Sequence, residues 1–326
     1  MMWSMAATGL DWCSNTVAAD KLSILIFHRV LPSPDPLFPQ EMDAVRFDGL
    51  MGIVARRFSV LTLGQALQRR QSGGLPRNPL VITFDDGYAD NAEIALPILK
   101  RRGLAATFFV STGFLDGGRM WNDTVIECLR CTRLQQVDLS ALGLGTIALH
   151  SLADRRAAIE LLLPRLKYAP LAERERLLGH LLQATGRPSL PAGPMMRSEQ
   201  VVELHRSGME VGGHTINHPI LTELPDEQAQ AEIAGGKRRL EDLTQATVDV
   251  FAYPNGRPGR DYDQRHTRMV KALGFRGAVS TATGVSGTAT DPYQLPRFTP
   301  WDRQHARWLA RMHWLRLRGG SHEVVA

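Results

Sequence analysis

A chain of 326 residues with 44% hydrophobic and 22% charged content is long enough for one large α/β barrel or two ordinary domains. The net charge of +5 comes without a recognition motif or a basic-aromatic platform, which argues against nucleic acid, and three cysteines give no disulfide framework. Met1 to Ser14 lack the basic and apolar regions of a signal peptide, and no apolar run reaches the length of a membrane span, so a cytoplasmic protein is expected.

Leu22 to Phe27 reads as a short buried strand that ends at His28. Pro32, Pro34, Pro36 and Pro39 mark a loop, followed by a helix from Asp43 to Arg57, a strand from Ser59 to Leu63 and a helix from Leu63 to Arg70. Gly73, Gly74 and Pro76 interrupt the chain before Leu80 to Phe84, a run of apolar and β-branched residues typical of a strand buried on both faces. That strand runs straight into Asp85, Asp86 and Gly87. Ligand sites of parallel α/β proteins lie beyond the carboxyl ends of the strands, where this carboxylate pair would stand. The same pair could instead cap the helix that follows.

A helix is expected from about Asn91 to Arg102, with Pro97 as a source of kinking, and a further buried strand from Ala105 to Val110. Strand, helix and strand in such close succession form a βαβ unit and imply a parallel sheet. Residues 116–197 change texture: Arg155 to Lys167 and Leu171 to Leu182 look helical with little strand character, which reads as a helical insert. Within it Cys128 and Cys131 have CxxC spacing without a second pair, a pattern that chance spacing on a helix explains as well as zinc. Trp121 could stack on a pyranose ring or form a structural corner.

Beyond the insert come a helix from Ser198 to Ser207 and a strand from Met209 to Gly213 that ends at His214. A long polar helix from Asp226 to Leu243 and a strand from Val248 to Ala252, stopped by Tyr253-Pro254-Asn255-Gly256, follow. Asp261 to Leu273 reads as a helix and Phe275 to Ser280 as a strand. Seven or so strand–helix alternations predict a (β/α) barrel in a single domain over residues 1–326. The segment 302–318 predicts a basic amphipathic helix, with Trp301, His305, Trp308, Met312 and Leu315 on one face and Arg303, Arg307 and Arg311 repeating every four residues. It either packs on the barrel with solvated arginines or touches membrane phosphates or an anionic polymer.

His214 and His218 follow one strand and Asp85 and Asp86 another, so both pairs should face the same rim of a parallel barrel. Two imidazoles and one carboxylate, with a position left open, form a hydrolytic zinc site, and the second carboxylate is then free to act as a base.

Thr83-Phe84-Asp85-Asp86-Gly87 and His214-Thr215-Ile216-Asn217-His218 resemble the first two motifs of the polysaccharide deacetylases, carbohydrate esterases with a NodB-homology domain. Phe251-Ala252-Tyr253-Pro254-Asn255-Gly256 stands where the third motif would be. The resemblance implies a deformed, seven-stranded (β/α) barrel and a divalent metal, zinc first, with cobalt or nickel also suited. It implies Asp86, His214 and His218 as ligands, Asp85 as base, and removal of N-acetyl groups from amino sugars of a polysaccharide or lipid-linked glycan. The backbone N–H of Tyr253 would face the oxyanion, and Asn255, Arg297 and Trp121 complete the expected substrate-side set.

Two departures stand out. The third motif commonly carries an arginine that orients the base, and this chain has Ala252 there; Arg297 is the expected replacement. The family's late Leu-x-x-His is also absent, and His266, His305 and His313 do not match it. Family members acting on extracellular poly-N-acetylglucosamine share an early strand ending in histidine, which makes His28 the candidate acid, with a buried structural histidine as the alternative. Removal of another acyl group such as formyl, hydrolysis of another non-peptide C–N bond, or a catalytically inactive carbohydrate-binding barrel are the competing functions.

Overall fold

The structure is a computed structural model and describes residues 21–300, 302, 304–318 and 324–325. The stretch Met1 to Ser14 and the residues Trp301 and Arg303 lie outside the described residues. The chain divides into two units, one of residues 1–32, 42–115 and 196–326 and one of residues 33–41 and 116–195.

The first unit is the barrel. Its elements in order are β1 (Ser23–Phe27), α1 (Ala44–Arg57), β2 (Ser59–Leu61), α2 (Leu63–Gln71), β3 (Pro79–Phe84), α3 (Leu96–Arg102) and β4 (Thr107–Val110). Beyond the second unit's helix α4 (Trp121–Cys131), strands β5 (Gln136–Asp138) and β6 (Thr146–Ala148), and helices α5 (Leu152–Lys167) and α6 (Leu171–Ala184), the barrel resumes. It continues with α7 (Ser198–Arg206), β7 (Glu210–Gly213), α8 (Asp226–Thr244), β8 (Val250–Ala252), α9 (Gln264–Ala272), β9 (Gly277–Thr283), β10 (Leu295–Arg297) and α10 (His305–Arg318).

Seven strands run in the order β1-β3-β4-β7-β8-β9-β10, each parallel to its neighbour, while β2 pairs with the first half of β3. The ring is nearly closed by a bridge between Leu25 and Phe298, where Phe298 N–H donates to Ile24 O at 2.7 Å and Ile26 N–H to Phe298 O at 3.2 Å. The deformed seven-stranded α/β barrel expected from the sequence is the fold observed.

Alternation along the strands builds two cores. Ile24, Val81, Phe109, Val250, Ala252, Val279 and Leu295 form one apolar cluster, and Leu25, Ile82, Phe84, Phe108 and Val211 join the larger cluster with the surrounding helices. Successive strand side chains point to opposite faces, so the residues two further on from Val81 and Leu295 share the inner face. That parity sends Thr83, Asp85 and Arg297 toward one interior point, and the same parity carries Gly212 into His214.

In the barrel two elements departed from expectation. The helix after β3 opens with a π-helical turn, Asn91–Ala95, before α3. Pro97 supplies no N–H and its ring crowds the carbonyl one turn back, which the wider π turn relieves. Strand β10 was not expected at all, because Pro296 removes a ladder donor and the segment is only three residues long.

The far, N-terminal end of the barrel is tied by Glu210 at the start of β7. Its carboxylate accepts from Gly64 N–H at 3.0 and 3.1 Å and from the Thr107 hydroxyl at 2.7 Å, so it anchors the first turn of α2. Glu210→Ala leaves both donors without this acceptor and is expected to cost roughly 1–3 kcal/mol in a denaturant melt.

The second unit has its own core, built on Val125, Cys128, Leu129, Ile159, Leu162, Leu166 and Leu181. Cys128 and Cys131 sit on α4 at helical spacing; burial raises the Cys128 thiol to about 11, which leaves it an inert packing residue. The unit also contains a small antiparallel hairpin, β5 with β6, and residues 33–41 of the Pro-rich loop. Both were invisible in the helical texture of the segment.

On α10, Trp308, Met312 and Leu315 are buried, whereas His305 stays exposed. Arg311 is held by Asp302 at 3.0 Å and by the Thr299 carbonyl at 2.6 Å. Trp314 and Leu317 face outward, with the Arg318 guanidinium over the indole at 4.6 Å. No helix among the described residues is long and apolar enough to cross a membrane.

Candidate active site

At the carboxyl end of β3 the backbone turns through Asp86, whose φ of 79° is left-handed, and Gly87, with φ of 93°. A side chain at Gly87 would meet Val110 Cγ1 at 2.9 Å, so both conformation and space require glycine there. The turn separates the two carboxylates. Asp85 continues the inward face of β3, and Asp86 swings toward the loop after β7.

Asp85 is buried and held by Arg297 in a two-pronged pair, Nη1 to Oδ1 at 2.7 Å and Nη2 to Oδ2 at 2.6 Å. Arg297 is itself 1% exposed and fixed by Nε to Ser280 O at 2.8 Å and Nη1 to Thr83 Oγ1 at 3.1 Å. Burial pushes the Asp85 carboxyl up, but the adjacent Arg297 charge outweighs it and holds the group below its ordinary value. Arg297, the expected replacement for the family's third-motif arginine that Ala252 lacks, thus reaches the Asp85 carboxylate from β10.

Asp86 faces two imidazoles. Its Oδ1 lies 3.4 Å from His214 Nε2 and 3.3 Å from His218 Nε2, and the three ligand atoms all fall within 4.8 Å of one another. Ligands bound about 2.0–2.1 Å from a tetrahedral zinc lie roughly 3.3–3.4 Å apart, so this carboxylate–imidazole spacing suits a shared ion. His214 Nδ1 is 2.7 Å from Ala252 O, which places a proton on Nδ1 and turns Nε2 toward Asp86 as the atom that would bind an ion. Burial raises the Asp86 carboxyl, yet the contact with His214 and the neighbouring imidazoles outweigh it and hold it well below the carboxylate range. Burial drives His218 down to about 4, so this imidazole is neutral at physiological pH. His214 is pulled down by burial but raised on balance by Asp86. Two imidazoles and a carboxylate in this arrangement fit a divalent ion.

The loop carrying the histidines is strained. Thr215 has φ of 66° and His218 of 50°, and a β-branched residue rarely adopts the left-handed region. The Thr215 hydroxyl accepts from His218 N–H at 3.0 Å and donates to His214 O at 2.5 Å. From the β4 side, Thr112 N–H donates to Thr215 O at 3.2 Å, Gly113 N–H to Ile216 O at 2.8 Å and the Ser111 hydroxyl to His214 O at 2.9 Å.

His28 is exposed at the end of β1, not a core histidine, and lies close enough to Asp85, Asp86 and His218 for its charge to bear on all three. His266, by contrast, is a buried helix-cap group, with Nδ1 accepting from Asp263 N–H at 3.0 Å and Nε2 3.1 Å from Leu221 O. The Tyr253 amide, expected to face the oxyanion, has a partner within the sheet. Its backbone N–H donates to Val279 O at 3.3 Å, because Tyr253 still follows the β8 ladder, and its ring is buried and stacked on Tyr262 at 3.8 Å. Asn255 is half-buried in a left-handed turn, with its carbonyl accepting from the Thr281 hydroxyl at 2.8 Å. Trp121 belongs to the second unit, where Arg174 lies over its ring at 5.3 Å.

Sequence comparison matches residues 72–139 and 172–278, more than half of the chain, to the polysaccharide deacetylase family. The chain belongs to that family. Polysaccharide deacetylases are hydrolases of carbon–nitrogen bonds, and the matched segments contain Asp85, Asp86, His214 and His218. YxkH of Bacillus subtilis (strain 168), which carries the same family name, is 21% identical over 282 residues, 85% of this chain and 70% of its own length. Among solved structures, IcaB from Ammonifex degensii superimposes with a TM-score of 0.59 at 19% identity, covering 91% of this chain and 97% of that one. The Streptococcus pyogenes deacetylase PplD gives 0.58 at 18% identity, covering 86% and 92%. At these identities the structures share the polysaccharide deacetylase fold.

Proposed function

We propose that this polysaccharide deacetylase is divalent-metal-dependent and removes N-acetyl groups from amino sugars of a polysaccharide or lipid-linked glycan. The observation that carries the reading is the division of labour between adjacent carboxylates: Asp86 faces His214 and His218, while Asp85 is turned away onto Arg297. Asp86, His214 and His218 would hold the ion, with zinc best suited to two imidazoles and one carboxylate. The cation supplies Lewis acidity to a water and to the acyl carbonyl.

Asp85 accepts the proton that the attacking water gives up. Arg297 keeps it ionised and oriented, since the two-pronged pair leaves the carboxylate little rotational freedom. An amide nitrogen leaves poorly unless it gains a proton, and His28, exposed at the end of β1 and within electrostatic reach of both carboxylates, would deliver one. Acetyl as the acyl group agrees with PplD, a deacetylase whose structure holds acetate.

The test is acetate release from N-acetylglucosamine oligomers with zinc supplied, with and without a chelator. Wild-type protein is expected to release acetate and to stop when chelated, and His214→Ala to lose both zinc and turnover. Formate release, or turnover indifferent to chelation, would contradict the proposal.

A further inference from the structure

Two imidazoles separated by three residues keep a ligand spacing only if the loop between them is held, and here that loop adopts two left-handed residues. Such a residue is strained and persists only where its surroundings over-determine it. The turn after β4 fixes the carbonyls of Thr215 and Ile216 from one side, through the N–H groups of Thr112 and Gly113. From the other side the restraint comes from α8, sixteen residues further along the chain at its first point of contact.

Glu232 of α8 receives three hydrogen bonds from this loop. Its Oε2 accepts the backbone N–H of Ile216 at 3.0 Å and of Asn217 at 2.8 Å, and its Oε1 accepts Asn217 Nδ2 at 2.7 Å. Successive amides that converge on one point form a small anion-binding concavity, and a carboxylate is the acceptor that serves both at once. One turn later Gly235 and Gly236 let the helix come close. A Cβ on Gly236 would stand 2.7 Å from Thr215 O and 2.8 Å from its carbonyl carbon, and one on Gly235 would stand 2.4 Å from Ile216 Cδ1. The carboxylate and the two glycines act on successive residues of one loop.

We propose that Glu232 is a positioning residue for the cation site: it clamps Ile216 and Asn217 so that His214 and His218 stay at ligand spacing. The inference rests on the metal-dependent reading above. With the clamp removed, the loop relaxes from its left-handed turns, His218 leaves its place opposite Asp86, and the ion loses a preset ligand.

The experiment is zinc titration of full-length wild type, Glu232→Ala and Glu232→Gln, alongside melting of the metal-free proteins and hydrogen exchange at Ile216 and Asn217. Alanine is a good helix former at this half-buried position, so Glu232→Ala is expected to fold. Its zinc affinity should fall by about 10–100-fold, as for loss of other partners that orient metal ligands. The two amides should exchange faster, and Glu232→Gln, which keeps an acceptor, should recover part of both. A Glu232→Ala protein that melts lower but binds zinc as tightly as wild type would overturn the clamp and leave the metal reading standing. Wild type that binds no divalent ion would instead overturn the proposed function and the clamp together.

Discussion

Asp85→Asn is expected to retain zinc and lose turnover by about 10²–10⁴-fold, the range typical of removing a general base. The ligand atoms of Asp86, His214 and His218 are untouched by the change, so metal content should equal that of wild type. Stability will also suffer, because Arg297 keeps its charge in a buried place with only a neutral amide opposite. The rate therefore has to be compared at a temperature where circular dichroism shows both proteins folded. Full turnover in a folded, zinc-loaded Asp85→Asn protein would remove Asp85 from the reaction.

Arg297→Met is expected to cost about 3–5 kcal/mol in denaturant unfolding, since it strands the buried Asp85 carboxylate. The sign of its pH dependence follows from the shift. In the wild type Arg297 overcomes burial and depresses the Asp85 carboxyl, so the pair stabilises the fold above the unfolded carboxylate range and that contribution is lost as pH falls through the folded value. Without Arg297 burial is opposed only by the smaller influence of His214 and His28, and the folded carboxyl is expected to move above its unfolded value. The variant's destabilisation should then be smallest in acid, where Asp85 is protonated in both states, and grow as pH rises past the unfolded value. The acid limb of the pH–rate profile should move to higher pH in the same variant. The double variant Asp85→Leu/Arg297→Met should lose much less stability than the two single changes together, because neither charge is left alone. Additive losses would mean that the two groups are not coupled.

Much of the barrel was legible because its strands are short apolar runs ending in chemistry-bearing residues. Leu80 to Phe84 running into Asp85, and Met209 to Gly213 running into His214, announce both a buried strand and a rim position. The strand that carries Arg297 was hidden by Pro296, so the arginine itself could be guessed but not its route to Asp85. That route is a matter of closure: β10 lies beside β9 and next to β1, and no local pattern encodes which strands meet when a sheet rolls up.

Glu232 went unnoticed for a similar reason. It lies in a long polar helix with several other acids, and only the approach permitted by Gly235 and Gly236 distinguishes it from its neighbours. Tyr253 shows the opposite case. Its place in a family-like motif suggested a free amide, whereas the last bond of the β8–β9 ladder, beyond the Ala252–Val279 pair, uses that donor. The exposure of His28 was equally beyond the sequence, because a histidine after five buried strand residues could continue inward or emerge, and it emerges.

The central claim is that one divalent ion sits among Asp86, His214 and His218 while Asp85 stays on Arg297. Anomalous diffraction at the zinc edge from crystals of the zinc-loaded protein tests it most directly. The account predicts a single strong peak within bonding distance of Asp86, His214 and His218, with the Asp85–Arg297 pair intact. A peak elsewhere, a peak ligated by Asp85, or no peak at these three residues would contradict it.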